Sequence, residues 1–104
     1  MNPDDVARLI EIWGRGVTLR REPSTDVSVK AFVRGYAPNE LVGDITQGDR
    51  ELKISNSEIA AAAWPGPPVK GDRVIIDART TTILAVEPLH IGEDIALYVL
   101  RVRG

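Results

Sequence analysis

Side chains with the chemistry for catalysis are few and scattered in this sequence. His90 is the single histidine and cysteine is absent, so thiolate or Cys/His zinc sites and Cys–His nucleophile pairs lack their parts. Ser24, Ser28, Ser55 and Ser57 are the serines that a Ser-His-Asp relay through His90 would draw on. None of them lies in a nucleophile-elbow sequence. A lone titratable group without a visible partner reads as structural or solvated. Acid-base hydrolysis needs only two facing carboxylates, yet Asp72, Asp77, Glu93 and Asp94 all stand beside turn-forming residues. There, acidic side chains serve turn hydrogen bonding and solubility. Gly14-Arg15-Gly16 lacks the remaining glycine and the lysine of a phosphate-binding loop, and it follows a helical pattern instead of opening one. The expectation is a protein that is not an enzyme and carries no metal or cofactor.

Binding chemistry has more to work with. Arg15, Arg20, Arg21, Lys30 and Arg34 alternate with Phe32 and Tyr36 over two strand-like segments. Such a mixture can stack and neutralise single-stranded nucleic acid, but Arg and aromatic side chains are also the types enriched where proteins meet. Thirteen basic against 15 acidic residues leave a formal charge of −2, which favours a protein contact over a general nucleic-acid binder. Arg20, Lys30, Phe32, Arg34 and Tyr36 are therefore the expected subunit interface.

The elements that must position these residues follow from periodicity. Asn2 as cap, Pro3 in the first turn, and Asp4 and Asp5 near the positive helix end start a helix over residues 3–13. Val6, Leu9, Ile10 and Trp13 form its apolar stripe, and Gly14 with Gly16 supplies the stop. From Gly16 the period changes to two: Val17, Leu19 and Arg21 alternate with Thr18, Arg20 and Glu22. Val27, Val29, Ala31 and Val33 then line one face of a second strand that carries Lys30, Phe32, Arg34 and Tyr36 on the other. Residues 35–49 are irregular and longer than a common connection, which points to a functional or poorly ordered loop. Glu51 to Ile54 alternates as a short strand, and Ser57 is the expected cap of a helical turn before Pro65-Gly66-Pro67-Pro68. Val74–Ile76 and Thr80–Val86 form a hairpin across Asp77-Ala78-Arg79, closed by Glu87-Pro88, and Ile95–Val102 is the last strand.

One helix and about six strands, with no βαβ alternation, make a mainly β protein: a small antiparallel barrel or sandwich. The 104 residues form a single domain, with the barrel over 16–104. No stretch approaches the length of apolar sequence that spans a bilayer, and no leader pattern opens the chain. A soluble, unprocessed protein made in a reducing cytoplasm is expected.

Residues 41–104 carry a pattern that resembles the head-closure, or stopper, proteins at the head-tail junction of tailed bacteriophages. Leu41-Val42-Gly43-Asp44-Ile45-Thr46-Gln47-Gly48-Asp49-Arg50 leads into Leu52-Lys53-Ile54-Ser55, and a Pro-rich turn follows. Lys70-Gly71-Asp72-Arg73-Val74-Ile75-Ile76-Asp77, with Thr82 to Pro88 behind it, looks like that family's glycine-aspartate, strand, turn, strand, proline signature. Ala96 to Gly104 is similar to its last strand. The chain departs from the pattern at Ala78-Arg79, where a glycine is more usual. The resemblance implies a β-barrel subunit of a homo-oligomeric ring in the virion neck, made in the bacterial host cytoplasm. Its partners would be the portal or adaptor ring and the tail proteins. It would meet packaged DNA only by passage or plugging, and no membrane. The family's plug loop carries over to residues 35–49, with Leu41, Val42, Asp44, Ile45, Gln47, Asp49 and Arg50 as its expected channel residues. An adaptor or tail-terminator connector, an independent nucleic-acid-binding barrel and a small hydrolase using paired carboxylates are the alternative readings.

Overall fold

The computed structural model describes residues 3–21, 25–36, 38–40, 43, 45, 48–62, 64 and 66–104, the side chains of residues 3 and 4 excepted. Helix α1 (Pro3–Trp13) has the bounds that capping and periodicity predict. Its last i→i−4 bond runs from the Gly14 N–H to the Ile10 carbonyl at 2.7 Å, and it ends where Gly14 lies against the second strand. A Cβ at Gly14 would sit 2.4 Å from the Ile10 carbonyl oxygen and 2.9 Å from that of Ala31. Only glycine lets the chain turn there, straight into β1 (Arg15–Arg20).

Strands β2 (Val27–Gly35), β3 (Arg50–Ser55), β4 (Arg73–Ile76), β5 (Arg79–Ile91) and β6 (Asp94–Arg103) complete an antiparallel sheet. The sheet closes on itself in the order β1-β2-β3-β6-β5-β4, so the fold is a barrel and not a sandwich. Closure comes from the pairing of β1 with β4, Thr18 to Ile75 through Arg20 to Arg73. It leaves the six-stranded core without the unpaired edges of an open sheet.

Alternation sends Val17, Leu19, Val29, Ala31, Leu52, Ile54, Val74, Ile76, Ile83, Leu100 and Val102 inward as one buried cluster. At this strand number the interior is filled by side chains, so the barrel is a packed core and not a pore. Thr81 also points inward, and its hydroxyl donates 2.7 Å to the carbonyl of Val74, its cross-strand partner. The connection between β3 and β4 covers the interior. Its helix α2 (Asn56–Ala61) contributes Ile59, and Trp64 follows in the same cluster. The cap of α2 is Ser55, one residue inside β3, which accepts the Glu58 N–H at 3.2 Å. Ser57 was the expected cap, but the strand runs directly into the helix and places the acceptor two residues earlier.

The hairpin between β4 and β5 turns on Asp77 and Ala78, at φ 51° and 64°, the geometry of a two-residue type I′ turn. Beyond Ile83, β5 pairs with β6 alone. A register shift between Ile83 and Ala85 leaves Leu84 unopposed, and such a bulge bends its strand. Contrary to expectation, Pro88 does not end the strand. It sits opposite Tyr98 within β5, on the half whose other edge has no strand beside it, where a missing N–H costs no ladder bond.

Candidate interaction surfaces

Two faces on opposite arcs of the barrel carry distinct chemistry. The first is built on α1, which lies over β2, β3 and β6. Val6 and Ile10 are buried and pack with Leu97, with half-buried Phe32, Ile91 and Val99 around them. The rest of the helix stripe has no cover: Leu9 is 42% exposed, Ile12 63% and Trp13 73%. Leu89, from the half of β5 that pairs only with β6, is 46% exposed. Between helix and hairpin runs an apolar groove of about 460 Å³ lined by Val6, Leu9, Ile10, Phe32, Leu89, Ile91 and Leu97, with Lys53 at its rim.

This packing divides the expected Arg-aromatic interface. Phe32 is half-buried beneath α1, so it cannot share an open stacking stripe with Lys30 and Arg34. Arg34 donates to Glu40 at 2.9 and 3.0 Å and to Glu51 at 3.0 and 3.1 Å, with its guanidinium 5.3 Å from the centre of the Tyr36 ring. Those carboxylates raise its pKa above the ordinary arginine value. Burial, with Glu51 nearby, pushes the Tyr36 phenol above its usual range. Arg20 lies at the end of the neighbouring β1, beside the start of β2, bound to Asp26 at 3.0–3.2 Å. Lys30 remains exposed. The five residues do not make one surface, because α1 covers Phe32 and Arg20 sits at the opposite end of the β1–β2 pair from Arg34 and Tyr36.

Of the expected plug-loop residues, Leu41, Val42, Asp44 and Gln47 lie outside the described residues. A 3-10 turn (Pro38–Glu40) opens the segment. Ile45 is half-buried in a concavity shared with Tyr36, Glu51, Val86 and Arg101. Asp49 is not a loop-surface group: its side chain is fully buried, and it accepts from Arg101 at 3.2 Å and from Arg103 at 2.7 and 3.1 Å. It ties the end of the loop to the last strand. Arg50 is half-buried at the first position of β3.

The second face is basic and lies over β1, β4 and the start of β5. Arg20, Arg21, Lys70, Asp72, Arg73 and Thr80 line an open concavity of about 620 Å³. Asp72, expected to be an ordinary turn residue, is largely buried. It accepts from Arg21 Nε at 2.9 Å, from Arg21 Nη2 and from the Val69 N–H at 2.9 Å. Arg21 also donates to the Pro67 carbonyl at 2.9 Å and lies 5.1 Å from the centre of the Trp64 ring. Its pKa is raised, mainly by the hydrogen bonds to Asp72. Spacing alone does not announce this clamp, since 51 residues separate its partners.

The remaining chemical candidates stay apart. His90 is exposed near the tip of the β5–β6 hairpin, and Ser55 is occupied as the α2 cap. Asp77 pairs with Arg15 at 3.1 Å in an exposed turn. Among the described residues no group of three or more His, Cys, Asp or Glu is placed to hold a metal ion. None of the described helices is long and apolar enough to cross a membrane. Comparison of the chain with protein-family models, with curated proteins and with solved structures returned no match.

Proposed function

We propose that the chain is a structural subunit of a tailed-phage neck, assembling through its α1 face into a ring that retains packaged DNA and receives the tail. The observation that carries this reading is the uncovered apolar surface of Leu9, Ile12, Trp13 and Leu89 on a domain whose core is already complete without it. Contiguous exposed apolar surface rimmed by polar groups marks a protein contact, and Trp is among the side chains that most often anchor one. The likeness of residues 41–104 to head-closure proteins supplies the kind of assembly. The closed barrel agrees with that likeness.

The occupant of the α1 face in this reading is the neighbouring copy in the ring. A head-to-tail ring needs two different surfaces on each subunit. The groove beside α1 is concave, while Ile12 and Trp13 project from the helix end. A packed barrel has no lumen of its own, so the DNA channel is the space enclosed by the ring. The nucleic-acid alternative based on base stacking is less favoured, because Phe32 packs beneath α1.

The test is to delete the gene from the phage or prophage that carries it and image the particles by electron microscopy. The expected result is DNA-emptied, tailless heads beside finished free tails. Complete, infectious particles would overturn the reading.

A further inference from the structure

The strand registers place arginines where a sheet would not put them for its own stability. Arg20 of β1 stands directly opposite Arg73 of β4, Arg73 opposite Thr82 of β5, and Thr82 opposite Arg103 of β6. One row across four strands thus holds three guanidinium groups, and like charges directly opposite each other destabilise a sheet. Two of the three are compensated, Arg20 by Asp26 and Arg103 by Asp49. Arg73 has no acidic partner among the described residues, nor has Lys70 three positions before it. Both line the same concavity as Arg20 and Thr80. In a chain whose net charge is −2, this is a local excess of positive charge and not a reflection of composition.

The floor beneath these cations is fixed. Asp72 is saturated by Arg21 and the Val69 N–H, and the backbone of Gly71 and Asp72 is tied to Ile83 at 2.9 and 2.8 Å. Lys70 and Arg73 are therefore carried on rigid backbone, and an incoming anion has only their side chains to order. A carboxylate offers two oxygens. A phosphate offers at least as many acceptors and a tetrahedral spread that suits the Arg73 guanidinium fork on β4, the Lys70 ammonium on the turn before it and the Thr80 hydroxyl on β5, which line the same concavity.

We propose that the concavity formed by Arg20, Lys70, Arg73 and Thr80 is a phosphate-binding site. Two sources share this chemistry, inorganic phosphate and the phosphodiester backbone of duplex DNA. The site stands apart from the α1 face and does not depend on the neck reading.

The test uses the isolated chain and NMR spectra of backbone amides and arginine Nε–H groups. The protein is titrated with sodium phosphate, with a short DNA duplex, and with sodium chloride at matched ionic strength. Saturable shifts at Arg20, Arg73 and Thr80 with phosphate or duplex, absent with chloride, are expected. The double variant Lys70→Gln/Arg73→Gln should bind about tenfold more weakly or worse, while Lys30→Gln, on another face, should bind as the parent does. Shifts with duplex but not with free phosphate identify the DNA backbone as the source, and the converse identifies the free anion. Absence of saturable shifts with either probe, or undiminished binding in a double variant that melts like the parent, would overturn the proposal.

Discussion

Two individual residues carry stability out of proportion to their size, and with opposite signs. Ala78 occupies the left-handed region at φ 64° in the hairpin turn, where a Cβ costs roughly 1–2 kcal/mol and glycine is nearly free. Part of that gain is offset by the greater chain entropy glycine loses on folding. Ala78→Gly should therefore stabilise the protein by about 1 kcal/mol, raising Tm by about 4 °C in a thermal melt. Asp49 is the reverse case. Its fully buried carboxylate neutralises Arg101, whose side chain is 12% exposed, and Arg103, at 45%. Asp49→Asn keeps the shape and removes the negative charge that Arg101 and Arg103 face in a poorly hydrated place. A loss of about 3 kcal/mol is expected, read as a lower urea midpoint with unchanged slope. Arg103→Gln, at the wetter end of the same network, should cost about 1 kcal/mol or less.

At the level of elements, the joint between α1 and β1 tests which glycine does the stopping. Both Gly14 and Gly16 suit a helix end by type, but a Cβ at Gly14 meets two backbone carbonyls whereas one at Gly16 meets nothing within 4 Å. Gly14→Ala should destabilise by about 2–3 kcal/mol through forced backbone movement. Gly16→Ala, in an exposed strand position, should be neutral or slightly stabilising, and chemical denaturation of the pair would separate them. Part of this distinction is beyond the reach of sequence, because the Ala31 carbonyl is brought close only when β2 pairs with β1. The same divide runs through the fold. Helix α1, the alternating cores of β1 to β4, and the helical turn before the Pro-rich segment were legible because their signals are local: caps, periods of 3.6 and 2, and turn residues. The cap of α2 moved from Ser57 to Ser55, and Pro88 proved to be interior to β5, because both depend on which edges are paired. The Arg21–Asp72 clamp and the Asp49 network join residues more than 50 positions apart and leave no local trace. The expected interface is divided for a related reason: alternation correctly put Lys30, Phe32 and Arg34 on one face of β2, but could not show that α1 covers Phe32.

Across the whole molecule, the barrel holds two chemically different surfaces apart. Strand order places the apolar α1 side over β2, β3 and β6, and the basic concavity over β1, β4 and the start of β5. A subunit that must touch neighbours on one side and an anionic ligand on another gains from this separation, since charge beside an apolar contact costs desolvation. The two faces can therefore be disabled independently. In the double variant Ile12→Glu/Trp13→Glu, both side chains are already largely solvated in the single chain. Removing them should change folding stability by about 0.5 kcal/mol or less, with an unchanged circular dichroism spectrum. Their contribution to an assembly would disappear, since a carboxylate carried into a closing interface would be buried without a partner. In a phage lacking the gene, the parent chain supplied from a plasmid should restore infectious particles, and the double variant should not. Glu93→Ala, in the β5–β6 turn, should restore them like the parent. Restoration by the Ile12/Trp13 variant would show that the exposed helix end is not the subunit contact. Failure of the parent to complement would bear on the neck assignment itself, which keeps the two questions distinct.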